Sequence, residues 1–178
     1  MDGAIGGANP GRASQRVMSY PHSDEATAEV RTPAGELFDY LDDHALLASH
    51  MEQPSMMLMG GRMTYEFDAT NGRAVGSIIK MGGSIFGFKL FVEEVVTEHH
   101  RPARKVWETL GQPRLLIMGA YRMGFEITPS GERSRLRVFI QYDRPPSPTG
   151  RLLSPIFAPI YARWCVTRMA TDAEHHFS

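Results

Sequence analysis

The chain has 178 residues, within the usual range of one domain and enough to bury roughly 70% of the unfolded surface. With 42% hydrophobic and 22% charged residues, its composition is that of a globular protein, which argues against wholesale disorder and fibrous repeats. A formal net charge of −1 argues against nucleic acid as a partner, and the single cysteine, Cys165, excludes an internal disulfide and fits a cytoplasmic protein.

Residues 1–22 are rich in Gly, Ala, Ser and Arg, hold no apolar run of signal-peptide length, and read as a flexible tail ahead of a domain over 23–178. Ala26 to Arg31 is β-prone, and Thr32-Pro33 supplies a helix N-cap with proline at the first helical position. Leu37, Phe38 and Leu41 then share one helical face, and Asp42-Asp43 caps a second short helix carrying Leu46, Leu47 and Met51. From Met59 the period becomes two. Met63, Tyr65 and Phe67 alternate with polar residues, and Asn71-Gly72 marks a turn that permits positive φ.

Strands follow over Val75 to Met81, Phe86 to Glu98 and Arg104 to Leu110, the last two separated by the Arg101-Pro102 bend. Ile117 to Ile127 places Tyr121, Met123, Phe125 and Ile127 on one face. The Pro129-Ser130-Gly131 turn leads into an opposing strand with Leu136, Val138, Ile140 and Tyr142. Pro145, Pro146 and Pro148 end the sheet, and a helix of about 25 residues runs from Thr149-Gly150 to near His176. Its ridges, Leu152-Ile156-Ile160-Trp164 and Leu153-Phe157-Tyr161-Cys165-Met169, are expected to cover the apolar face of the sheet. Too many prolines and arginines interrupt this segment for a transmembrane span.

The run Val30-Arg31-Thr32-Pro33-Ala34-Gly35-Glu36-Leu37-Phe38-Asp39-Tyr40-Leu41 resembles the strand entering the first helix of the START-like, helix-grip superfamily. Val96-Thr97-Glu98 before the Pro102 bend and Ile160-Tyr161-Ala162-Arg163-Trp164 in the last helix are similar too. The resemblance covers about Glu25 to Phe177 and implies an α+β fold. In it a curved antiparallel sheet of six to seven strands wraps around a long C-terminal helix, with two short helices after the first strand. It also implies a cavity for a hydrophobic small molecule, such as a lipid, an isoprenoid or an aromatic polyketide-like compound. A cofactor-independent cyclase, aromatase or dehydratase and a protein-interaction module are the alternatives.

The pocket-lining candidates are Met63, Tyr65, Phe67, Met81, Phe88, Glu94, Tyr121, Met123, Phe125, Val138, Ile140, Phe157, Tyr161 and Trp164. The 11 methionines suit an adaptable apolar wall, and a tyrosine on an apolar face needs a partner for its hydroxyl. Glu93 and Glu94 lie in the middle of the long strand, so one of them points inward if the strand is regular. An inward carboxylate would titrate above its usual range. A bulge that turns both outward, or pairing with Arg104, Lys105 or Arg122, is the competing arrangement. The pairs His99-His100 and His175-His176 read as solvated ends, and His44 and His50 as helix-surface residues near the cavity mouth. No metal-site spacing, Gly-x-Ser-x-Gly elbow or phosphate loop occurs, and no cofactor is expected.

Overall fold

The computed structural model describes residues 20–43, 62–85 and 88–178, with residues 62, 63 and 85 followed along the backbone only. The expected second short helix, with His44 and His50, and all but the last residues of the expected tail lie outside them. Seven strands form one antiparallel sheet, β1 (His22–Val30), β2 (Arg62–Phe67), β3 (Ile78–Ile85), β4 (Phe88–His100), β5 (Arg104–Thr109), β6 (Tyr121–Ser130) and β7 (Arg133–Tyr142). Helix α1 spans Ala34–Asp42 and helix α2 spans Pro148–His176. The spatial order is β1-β7-β6-β5-β4-β3-β2. Neighbouring strands are therefore consecutive in the chain, except that β1 pairs with β7, at the opposite edge from β2.

Local chemistry accounts for the element ends. The β1 strand gives way to α1 at Pro33, whose φ of −61° and ψ of 150° place it in the cap position. The Thr32 hydroxyl instead donates to the Glu36 carboxylate at 2.8 Å. The helix thus begins one residue later than the Thr32-Pro33 pattern suggests. Asn71 and Gly72 have φ of 52° and 76°, the left-handed region that the sequence pattern anticipates, within the longer β2–β3 connection. There the Asp68 carboxylate accepts from the Thr70 and Ser77 hydroxyls and from the Ile78 amide. Ser147 caps α2 by accepting from the Gly150 amide at 3.1 Å, and Pro148 occupies a first-turn position, where a missing N–H costs nothing.

The core lies at the β1-β7-β6 side of the sheet. Leu37, Phe38 and Leu41 from α1 meet Phe125, Leu136 and Val138 from the sheet and Ala162 and Val166 from α2, all without accessible surface. Phe38 sets its ring edge against Phe125 at 5.4 Å between centroids, a geometry that aromatic quadrupoles favour. Helix α2 turns a stripe of small residues, Ser154, Ala158, Ala162, Val166, Ala170 and Ala173, toward the sheet. Ala26 and Ala28 of β1 pack on the same core. Small side chains on both partners let helix and strand approach closely and recover dispersion contacts.

This corrects the expected ridges. Leu152, Leu153, Ile156, Phe157 and Ile160 are exposed on the far side of α2, Phe157 by 47%. The helix segment is apolar nearly all round, so its period could not identify the buried stripe, and alanines won because they fit against β1.

Candidate functional site

The pleat of the sheet determines which side chains can meet inside it. Tyr65 pairs with Met81 and Met81 with Val92. Phe67 pairs with Ile79, Ile79 with Glu94, and Glu94 with Thr109. Val96 pairs with Trp107 and Trp107 with Met123. Paired residues share a face, so Glu94 sits among aromatic and aliphatic side chains on the concave side. Its partner in the sequence question, Glu93, points outward and pairs with Lys80 at 3.3 Å.

Glu94 is only 4% exposed and accepts a hydrogen bond from the Tyr121 hydroxyl. Burial pushes its carboxyl up to about 7, against the opposing pull of Tyr121, Lys105 and Trp107. Burial and the neighbouring carboxylate hold the Tyr121 phenol well above its ordinary value. From α2, Tyr161 and Cys165 face the same group. Cys165 and burial raise the Tyr161 phenol, with Tyr65 and Glu94 adding to the effect, and burial lifts the Cys165 thiol to about 12. Cys165 is therefore a protonated, unreactive thiol at neutral pH.

Beside this group lies a second polar cluster under α1. Lys105, without accessible surface, donates to Asp42 at 2.5 Å. The other Asp42 oxygen lies 3.0 Å from His99 Nε2. Burial raises the Asp42 carboxyl, but the hydrogen bonds and charges of Lys105 and His99 outweigh it and hold the group below its usual range. Arg104 and Arg122, the other candidate partners of the strand glutamates, turn outward and bind Glu98. Lys105's place was legible, since in a period of two it shares the face of Trp107. That of His99 was not. A bulge at Thr97 shifts the β4–β5 register, and His99 thereby turns inward against Phe38, 5.3 Å between ring centroids, instead of forming a solvated end.

The sequence candidates therefore divide. Tyr65, Phe67, Met81, Tyr121, Met123, Tyr161 and Trp164 are half-buried and keep some accessible surface; Tyr121 and Tyr161 lie against the buried Glu94, whereas Trp164 borders a groove with Ile160, Arg163 and Thr167. Phe125, Val138 and Ile140 share the inner face but are sealed in the core. Phe88, 61% exposed, and Phe157 lie at the surface. Met63 stands on β2 opposite Gly83, and its side chain is outside the described set. No group of metal-binding side chains occurs among the described residues, and no helix among them is long and apolar enough to cross a membrane.

A curved antiparallel sheet gripping a long C-terminal helix defines the helix-grip class of folds. Solved structures of that class superpose on the chain. Norcoclaurine synthase from Thalictrum flavum is 17% identical with a TM-score of 0.58, covering 97% of each chain. A protein from Arthrobacter aurescens is 13% identical with a TM-score of 0.58 and covers 86% of each. A major latex-like protein from Panax ginseng is 11% identical with a TM-score of 0.54, covering 88% of this chain and 97% of its own. At these identities the likeness establishes the fold. No family model matches the sequence, and no curated protein does.

Proposed function

We propose that the protein is a cytoplasmic carrier that binds a hydrophobic small molecule against the concave face of β2–β6, with Glu94 and Tyr121 as its polar anchor. The observation that supports this most is the contrast within one face. The β7 side is sealed by the small-residue stripe of α2, whereas Tyr65, Phe67, Met81 and Tyr121 keep accessible surface around a buried carboxyl. Apolar walls with a few convergent polar groups are the usual make-up of a ligand site. A carboxyl poised near 7 accepts from a ligand hydroxyl when ionised and donates to a carbonyl when protonated. The class of ligand is a lipid, an isoprenoid or an aromatic polyketide-like compound with one such oxygen.

The same poise favours a second reading, a cofactor-independent cyclase or dehydratase in which Glu94 moves a proton, because acid–base catalysis is most efficient with a pKa near the working pH. A thermal-shift screen of fatty acids, quinones and polycyclic aromatics, paired with native mass spectrometry of the purified protein, tests the binding common to both. A ligand at one hundred times its dissociation constant adds about 2.7 kcal/mol of stability. Tyr121→Phe should weaken that ligand by about three- to tenfold, the value of one hydrogen bond. If no compound shifts the transition and no ligand copurifies, both readings fall. Product formation from a bound ligand that Glu94→Gln abolishes, with binding retained, selects the enzyme.

A further inference from the structure

We propose that the outer face of the first half of α2 is a docking surface for an anionic lipid bilayer. Every exposed residue from Leu152 to Ile160 is apolar, and only Ser154 and Ala158 in that stretch are buried. Leu152 is 77% exposed and Ile156 64%. The ridge is thus a continuous strip along more than two helical turns, longer than the scattered apolar residues of an ordinary surface. Arginines bracket it. From Arg144 to Thr171 the chain has four of them, Arg144, Arg151, Arg163 and Arg168, and no Asp or Glu. Arg151 and Arg144 form no ion pair among the described residues. Arg163 and Arg168 make exposed pairs with Asp24 and Asp172, of the weak kind that a phosphate can replace. They also flank an open groove with Trp164, Thr167 and Thr171 beside the end of the ridge.

The connection between β5 and β6 runs beside the start of α2, where the Leu116 carbonyl lies close to Gly150 and the Gly119 amide donates to the Asp143 carbonyl. An apolar strip edged with arginines is the pattern of a helix lying in a bilayer interface, apolar side down, with cations at the level of the headgroup phosphates. A second copy of this chain suits the face poorly, because a two-fold axis would set its arginines, two of them without an ion pair among the described residues, against one another.

The test is flotation of the full chain with vesicles of phosphatidylcholine, with and without phosphatidylglycerol, over a range of salt. The expected result is binding to the phosphatidylglycerol vesicles that weakens as salt rises. Arg151→Gln should bind them about fivefold more weakly. The double variant Ile156→Ser, Ile160→Ser should lose at least about tenfold, with a circular dichroism spectrum and melting temperature like the wild type, since both side chains are exposed. Failure to float at low salt, or a double variant that floats like the wild type, would overturn the proposal. So would sedimentation showing a dimer that the double variant dissolves. Flotation needs no pocket ligand and the thermal-shift screen needs no vesicles, so each reading fails separately.

Discussion

At the scale of single residues, Glu94 makes a stability prediction with a definite sign. Its folded pKa of about 7 lies above the usual 4.5, so between these values the folded chain keeps a proton that the unfolded chain gives up. Stability from this group is therefore fully present below about pH 4.5 and declines as pH rises through 7, by roughly 3 kcal/mol for a shift of this size. Glu94→Gln keeps the shape without the titration, so its urea midpoint should vary much less than the wild type's from pH 5 to 7.5. Parallel profiles would show that Glu94 is not desolvated. Asp42 has the opposite sign, with a folded pKa below its usual value, and its contribution is lost only at more acidic pH. Lys105→Met, which leaves Asp42 buried with His99 alone, should cost about 3–5 kcal/mol at neutral pH. A midpoint near the wild type's would mean that the pair is not sealed. The inward glutamate was legible as a conflict between charge and strand period. That its partner would be Tyr121 and not Lys105 was not, because Asp42, 63 residues away in sequence, claims the lysine.

At the scale of elements, α2 separates two properties that sequence patterns merge, being apolar and being buried. The large residues of its first half, Leu152, Leu153, Ile156, Phe157 and Ile160, face outward, and the buried stripe toward the sheet includes Ala158, Ala162, Ala170 and Ala173. Ala162→Leu should therefore cost at least about 1–3 kcal/mol, the usual penalty for overpacking a tight contact. Phe157→Ala should change stability by less than about 1 kcal/mol, as exposed positions do. Equal midpoints for Ala162→Leu and the wild type would place the helix further from the sheet than the alanine stripe implies. The hairpin of β6 and β7 was far easier to read, since its inner residues alternate over ten positions and its turn carries Pro129, Ser130 and Gly131. On its outer face Gly124 lies under the Phe139 ring, where an added Cβ would come within 2.8 Å of the ring and 2.5 Å of the Lys105 carbonyl. A glycine inside a strand pattern signals such a close approach, although it does not name the approaching residue.

At the scale of the whole molecule, the number and direction of the strands follow from the alternation and the turns, but the distribution of stability across the sheet follows from where the helices lie. Helices α1 and α2 cover β1, β7 and β6, where Val30, Phe125, Leu136 and Val138 have no accessible surface. The β2–β3 pair ends the sheet on the other side, with half-buried Tyr65, Phe67 and Met81 and two glycines, Gly82 and Gly83, that offer no side chain to pack. Local opening free energy tracks buried apolar contact and ranges from near zero up to that of global unfolding. Amides of β2 and β3 should accordingly exchange with solvent at least about 30-fold faster than those paired between β6 and β7 in the ligand-free protein, a difference of about 2 kcal/mol. A molecule seated on Tyr65, Phe67 and Met81 binds only the closed arrangement of those strands, so it should slow exchange there first and leave the β6–β7 amides, already limited by global unfolding, to rise only with overall stability. Uniform protection across all seven strands of the free protein would remove this gradient, and ligand-induced protection confined to β6 and β7 would move the binding face away from Glu94.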